Sequence, residues 1–172
     1  WKPFRFGELI DDIYKAEPHS KVLLNVRDRP HGDDVPFVTR TESSNGVDCY
    51  VSSSDVETEP GNALVIGDTT STISYQSDAF STGDHIVVIR ANWLNVWTGL
   101  FIVTLLRKER FRYSYGRAFR IPAIKEARLL LPAKKDETPD WQWVEQYVKS
   151  LKARPLSTNN GVEDALPLDT RT

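Results

Sequence analysis

Residues 85–89, His85-Ile86-Val87-Val88-Ile89, form an almost continuous apolar run without polar alternation. A half-exposed strand shows a period of two, so this run reads as a central strand buried on both faces. Such a strand needs apolar cover on each side of its sheet. Residues 93–108 offer part of it: Trp93, Val96, Trp97, Leu100, Phe101, Val103, Leu105 and Leu106 cover most of a helical wheel and predict a largely buried helix. With 172 residues, 40% of them hydrophobic, the chain is long enough for one domain with a real core.

The remaining elements are short. Leu9, Ile10, Ile13 and Tyr14 share a helical face, which predicts an amphipathic helix over residues 5–16, stopped by Pro18. Lys21 to Arg27, with Val22, Leu23, Leu24 and Val26, reads as a first strand. Val35 to Thr41 is a β-rich run whose Pro36 places its start at an edge. Asn45-Gly46 tolerates positive φ and fits a tight hairpin turn. Asp48–Ser54, Asn62–Ile66, Ile73–Gln76 and Arg128–Leu131 are further strands. Thr138-Pro139-Asp140 opens a last helix, with threonine as N-cap and Trp141, Val144, Val148 and Leu151 in a stripe, ending near Pro155. Residues 155–172 read as a polar, disordered tail. The expected fold class is α+β: a twisted, mostly antiparallel sheet with an N-terminal helix, one packed helix and a C-terminal spacer-like helix.

Charge is distributed unevenly. The formal net charge is -2, yet no lysine or arginine lies between Arg40 and Arg90, where Glu42, Asp48, Asp55, Glu57, Glu59, Asp68, Asp78 and Asp84 all fall. From Arg107 to Lys135 the balance reverses, with only Glu109 and Glu126 against ten basic residues. This asymmetry points to a polyanionic partner, or else to two solvated surfaces of opposite sign. Within the basic half, Phe111 to Arg120 alternates aromatic rings with guanidinium groups around Gly116, a pattern suited to gripping nucleic acid and also to a half-exposed strand entering a turn. The single cysteine, Cys49, leaves no internal disulfide, and no apolar run approaches the roughly 18 residues that span a bilayer. With no signal-peptide pattern, a cytoplasmic location is expected. The lack of methionine, with Trp1 first, suggests a piece of a longer protein.

The chemistry of catalysis finds little footing. The chain has no phosphate loop, dinucleotide fingerprint, His-Glu-x-x-His or Cys-x-x-Cys motif. His19, His31 and His85 are scattered, Cys49 sits in a strand, and the Asp11-Asp12 and Asp33-Asp34 pairs read as solvated surface charge. Recognition chemistry remains: Asn45, Gln76, Asn92, Asn95 and the arginines carry amide and guanidinium forks that match adenine and guanine edges. Two other readings stay open. One is a protein- or carbohydrate-interaction module using Trp93, Trp97, Trp141 and Trp143; the other is a small hydrolase, which requires carboxylates and histidines to converge in a pocket.

Six segments in order then resemble a known family. Val35-Pro36-Phe37-Val38-Thr39-Arg40-Thr41, Asn45-Gly46-Val47, Ser74-Tyr75-Gln76, Tyr113-Ser114-Tyr115-Gly116-Arg117, Leu131-Pro132 and Pro139-Asp140-Trp141 resemble the target recognition domains of restriction-modification specificity subunits, type I and the related type IIB and IIG modules. The resemblance covers roughly residues 1–151. It implies an α/β module that docks in the major groove of double-stranded DNA, reads a short half-site and directs a partner adenine-N6 methyltransferase. That partner, not this chain, would carry S-adenosylmethionine, and no metal or catalytic site is implied here.

Carried onto this sequence, the resemblance makes Thr39, Arg40, Asn45, Tyr75, Gln76, Arg112, Tyr113, Tyr115 and Arg117 the DNA-facing candidates. Residues 1–137 would be the recognition domain and 138–154 the start of a spacer helix that joins a second recognition domain. A complete subunit has two such domains and two long helices. The chain is accordingly expected to be a half subunit, an excised domain or a fused module.

Overall fold

The computed structural model describes residues 1–113 and 118–152. The expected central strand is β8 (Ile86–Arg90), buried at four of its five positions. It lies between β2 (Asp12–Lys15) and β5 (Ala63–Gly67), and β6 (Thr72–Gln76) closes the order β2-β8-β5-β6, antiparallel throughout. A second sheet takes the order β4-β3-β7, with β3 (Asp34–Val38) antiparallel to β4 (Val47–Ser52) and parallel to the short β7 (Ser81–Thr82). β1 (Lys2–Arg5) pairs with β9 (Arg128–Leu131) as a separate ribbon. Among the described residues the strands thus form three sheets where one was expected. The α+β class and the mostly antiparallel pairing hold.

The unbroken apolar runs are explained by burial on both faces. From β5 and β8, Leu64, Ile66, Val87 and Ile89 point to a core shared with α1 (Val96–Glu109), α2 (Ile121–Glu126) and β9. Ala63, Val65, Ile86 and Val88 point the other way, onto Val38, Phe80 and Ala16. Each fully buried Leu or Ile contributes roughly 2 kcal/mol, so the two central strands anchor the domain. A small third cluster, Phe37, Cys49 and Val51, is covered by Leu24 and Val35. β3 is the middle strand of its sheet, yet Pro36 lies outside the β7 register, which begins at Phe37. Its missing N–H therefore breaks no ladder.

The helix α1 begins where its sequence dictates. The Asn95 side chain accepts hydrogen bonds from the Trp97 and Thr98 N–H groups, while the Thr98 hydroxyl accepts one from Asn95 N–H, a reciprocal cap. α3 (Trp141–Lys152) packs on α1 through a Trp93–Trp141 stack with centroids 4.0 Å apart and through Lys149 and Lys152 over the Trp97 ring.

Three expectations are corrected. Residues 5–16 are not a helix: β1 ends at Arg5, a 3-10 turn spans Phe6–Glu8, and β2 pairs Ile13 with Ile89. Of the apparent helical stripe, Leu9 and Ile10 lie in the connection and Ile13 and Tyr14 in β2, and a short isolated helix cannot compete with pairing to a buried central strand. Lys21–Leu23 is a 3-10 turn, not a strand; Val22 is 92% exposed and Leu23 84%, and only Arg27 bridges to Tyr50. The cap of α3 is Asp140, whose Oδ1 accepts the Trp143 N–H at 3.0 Å, while Thr138 bonds Asp136. The polar tail expected over 155–172 lies outside the described residues.

Candidate nucleic-acid interface

The loop between β3 and β4 is built on three consecutive left-handed residues, Ser44 (φ 48°), Asn45 (φ 56°) and Gly46 (φ 85°). Only glycine and, less easily, asparagine accept this conformation at low cost. The loop then folds back over the free edge of β6. Asn45 Nδ2 donates to the Tyr75 carbonyl at 2.7 Å, and Gln76 Nε2 donates to the Asn45 carbonyl at 2.8 Å. At its start, Thr39 N–H donates to Gly46 carbonyl at 2.9 Å, and the exposed Arg40 donates to Thr69 Oγ1 at 3.0 Å. The turn between β5 and β6, with Thr69 and Thr70, therefore lies beside Arg40. A side chain at Gly67 would run into Thr70 and Arg40, so glycine permits that approach.

The basic end of α1 joins the same region. Arg107 forks onto the Ile73 carbonyl at 3.1 and 2.8 Å, and Arg110 pairs with Glu42 of the loop. The hydrogen bond from Arg110 holds the Glu42 carboxyl below its ordinary value. Beyond, a 3-10 turn spans Arg110–Arg112, Arg112 lies 3.0 Å from Glu109, and the half-buried Tyr113 stacks on Phe119 with centroids 4.2 Å apart. Three stretches far apart in sequence, residues 39–46, 67–76 and 107–113, thus meet on one face.

The individual candidates divide. Arg40 is exposed on this face, Arg112 is exposed on the turn beyond Arg110, Thr39 and Tyr113 are half-buried, and Asn45 is exposed with its amide committed to the loop clamp. Tyr75 and Gln76 are corrected: they are only 6% and 5% exposed. The Tyr75 hydroxyl donates to Asn62 Oδ1 at 2.8 Å, burial pushes its pKa up, and its ring packs on Gly99; both residues shape the site from beneath. Tyr115 and Arg117 lie outside the described residues. Asn95 is engaged as the α1 cap. Arg110, Phe111, Thr69 and Thr70 belong to the face and carry no individual sequence signal beyond the aromatic and basic alternation around residue 111.

The acidic stretch is paired with cations from several parts of the chain. Glu42 pairs with Arg110 of the basic stretch, Asp48 with Lys21, Glu59 with Arg90, and the buried Asp68 with Lys15. His85 Nδ1 lies 3.3 Å from Asp68 Oδ1 without hydrogen-bond geometry, the one carboxylate and histidine side-chain pair in such contact among the described residues. Neither lines the small cavity formed by Glu42, Ile73, Arg107 and Arg110, and no group of three metal-ligating side chains converges among the described residues. Trp93 and Trp141 stack on each other against the core, so they do not present an open aromatic interface.

A separate apolar groove of about 800 Å³ runs between α1, α3 and β9, lined among others by Trp1, Phe101, Leu130, Trp143, Tyr147 and Leu151. On its α3 side Trp143 and Tyr147 stack with centroids 5.0 Å apart, both well exposed.

Comparison with known proteins gives one consistent result. The model of the type I restriction modification DNA specificity domain matches residues 1–158. The specificity subunit S.BcgI of a type II restriction enzyme from Heyndrickxia coagulans is 28% identical over 157 residues, covering 88% of this chain and 43% of that protein. The HsdS subunit of Thermoanaerobacter tengcongensis superposes with a TM-score of 0.58 at 15% identity, covering 88% of this chain and 37% of that one. The type I S subunit of M. genitalium gives 0.54 at 11% identity, covering 88% and 40%. The chain spans less than half the length of each of these proteins. With the family model covering nearly all of its length, the chain belongs to the type I restriction modification DNA specificity domain family.

Proposed function

We propose that this chain is a recognition unit that reads a half-site of double-stranded DNA and contributes no catalytic group of its own. The observation that carries the reading is the convergence of Arg40, Thr69, Thr70, Arg107 and Arg110 from three distant stretches onto one face. Hydroxyl and guanidinium groups on a loop-built surface suit phosphate contacts and base edges in the major groove. Several of these groups are paired with surface carboxylates. Exposed pairs are worth only about 0–1 kcal/mol, so phosphate can displace them.

The unit serves an adenine-N6 methyltransferase that brings its own S-adenosylmethionine. The exposed Trp143, Tyr147 and Leu151 of α3, with Leu100 and Leu130 across the groove, form the surface through which a second recognition unit or the methyltransferase joins. Such a contiguous apolar surface is what marks a protein interface.

Selection from a randomised duplex pool, with the chain alone and with its methyltransferase, tests the proposal. Recovery of a short defined motif is the expected result. If about six phosphates are neutralised, affinity falls roughly a thousandfold between 50 and 200 mM salt. No enrichment in either condition refutes DNA reading.

A further inference from the structure

The face described above carries a group that the resemblance does not assign. Phe111 is 80% exposed, the most exposed aromatic side chain among the described residues. It sits on the 3-10 turn Arg110–Arg112 that caps α1, and the turn is fixed on both sides. Before it, Leu106 is fully buried, Arg107 holds the Ile73 carbonyl and Arg110 holds Glu42. After it, Tyr113 N–H closes on the Arg110 carbonyl at 2.8 Å and the Tyr113 ring stacks on the buried Phe119. The ring is thus held out by a pedestal with little freedom of its own. The Arg112 guanidinium lies over it, 5.3 Å from the ring centroid.

Resting on the DNA-reading proposal, we infer that Phe111 is a wedge that enters the base stack of the bound duplex, with Arg110 and Arg112 on the flanking phosphates. Its surroundings favour DNA over a protein partner. Apolar protein contacts use contiguous apolar surface, and the apolar groove along α1 ends at Lys108 and Glu109 without including Phe111. A single ring with one guanidinium over it, on a turn flanked by two arginines, matches the other case: an apolar side chain partly unstacks a base step while cations hold the backbone beside it. The backbone of the turn is already ordered, so binding costs only the rotamer freedom of the ring. The recognition this adds is of step deformability, which supplements hydrogen-bond reading of base edges.

The test uses the complete specificity subunit with its methyltransferase and the duplex motif that the wild-type complex selects. Each adenine of that motif is replaced in turn by 2-aminopurine, whose fluorescence rises on unstacking. In wild type, one step beside the contacted half-site brightens on binding. Phe111→Ala removes that signal and weakens cognate binding about tenfold to a hundredfold. It leaves the slope of log affinity against log salt unchanged, because no phosphate contact is lost. Phe111→Trp restores both signal and affinity. The inference is overturned if wild type selects its motif but Phe111→Ala binds it equally with the same fluorescence pattern. It is also overturned if Phe111→Ala instead loses co-purification with the methyltransferase, which makes the ring a protein contact. A wild-type complex that selects no motif defeats the DNA-reading proposal itself, and the wedge with it.

Discussion

Asn45 decides between two roles for an amide on a recognition loop, because replacing it by alanine and by glycine separates the forces involved. Its Nδ2 donates to the part-buried Tyr75 carbonyl on the open edge of β6, and its φ of 56° lies in the left-handed region. Removing the donor costs about 1 kcal/mol net. Placing alanine in that conformation adds about 1 kcal/mol, since a Cβ without a local polar partner crowds the following carbonyl. Asn45→Ala is therefore expected to destabilise the domain by about 2 kcal/mol. Asn45→Gly regains the backbone term but loosens the unfolded chain, and comes out at about 1 kcal/mol.

Urea unfolding reads both. With a slope of about 2 kcal/mol/M, the midpoint falls by about 1 M for alanine and about half that for glycine. Both variants should also bind DNA less well in proportion to lost loop order, with no change in the preferred motif. Unchanged midpoints together with an altered motif would refute the clamp and return the amide to base reading.

Other consequences are measurable by simpler means. The Glu42 carboxyl, held low by Arg110, ties the loop to α1 fully above the ordinary carboxylate pKa and releases it as pH falls through the lower folded value. Amide exchange in residues 39–46 should accelerate selectively in that acid window, and Glu42→Gln should show the fast exchange already at neutral pH. Gly99→Ala places a Cβ within 2.8 Å of the Tyr75 ring, which its hydroxyl bond to Asn62 holds in place. Overpacking of about 1–3 kcal/mol outweighs a helix-propensity gain of about 1 kcal/mol, so Tm should drop by roughly 3 °C. Burial raises the Cys49 thiol pKa, so alkylation of the native protein at neutral pH should be far slower than of the urea-unfolded chain.

How much of the fold was legible depended on whether local pattern and tertiary context agreed. β8 and β5 were readable because burial on both faces leaves an unbroken apolar run. The helix over 93–108 was readable from its apolar wheel, but only one face of it is buried, with Val96 and Leu100 exposed, and its Asn95–Thr98 cap was not part of that reading. Residues 5–16 misled because Leu9, Ile10, Ile13 and Tyr14 owe their spacing to a connection between two strands that pair with partners some 75 to 125 residues away. Nothing local encodes such pairing. Lys21–Leu23 misled for the converse reason: a β-branched and aliphatic pair was left in solvent, where apolar pattern carries no structural instruction.

The candidate face was legible as segments, and less so as side chains. The motif order pointed to Thr39–Val47, to the segment around Gly67–Gln76 and to Tyr113–Arg117; folding brings the first two together, and of the third only Tyr113 lies within the described residues. Period-two geometry then decides which members can reach a partner. In β6 every residue is buried, since the loop covers one side and α1 the other, so Tyr75 and Gln76 support the face from below. Charge counting pointed to a polyanion but could not tell which cations are free: Arg107 donates to the Ile73 carbonyl, while Arg110 reaches back across 68 positions to an acidic residue. A basic run in sequence therefore measures how firmly this face is assembled as well as what it attracts: Arg107 and Arg110 join its segments, while Arg40 and Arg112 stay exposed on the loop and the turn.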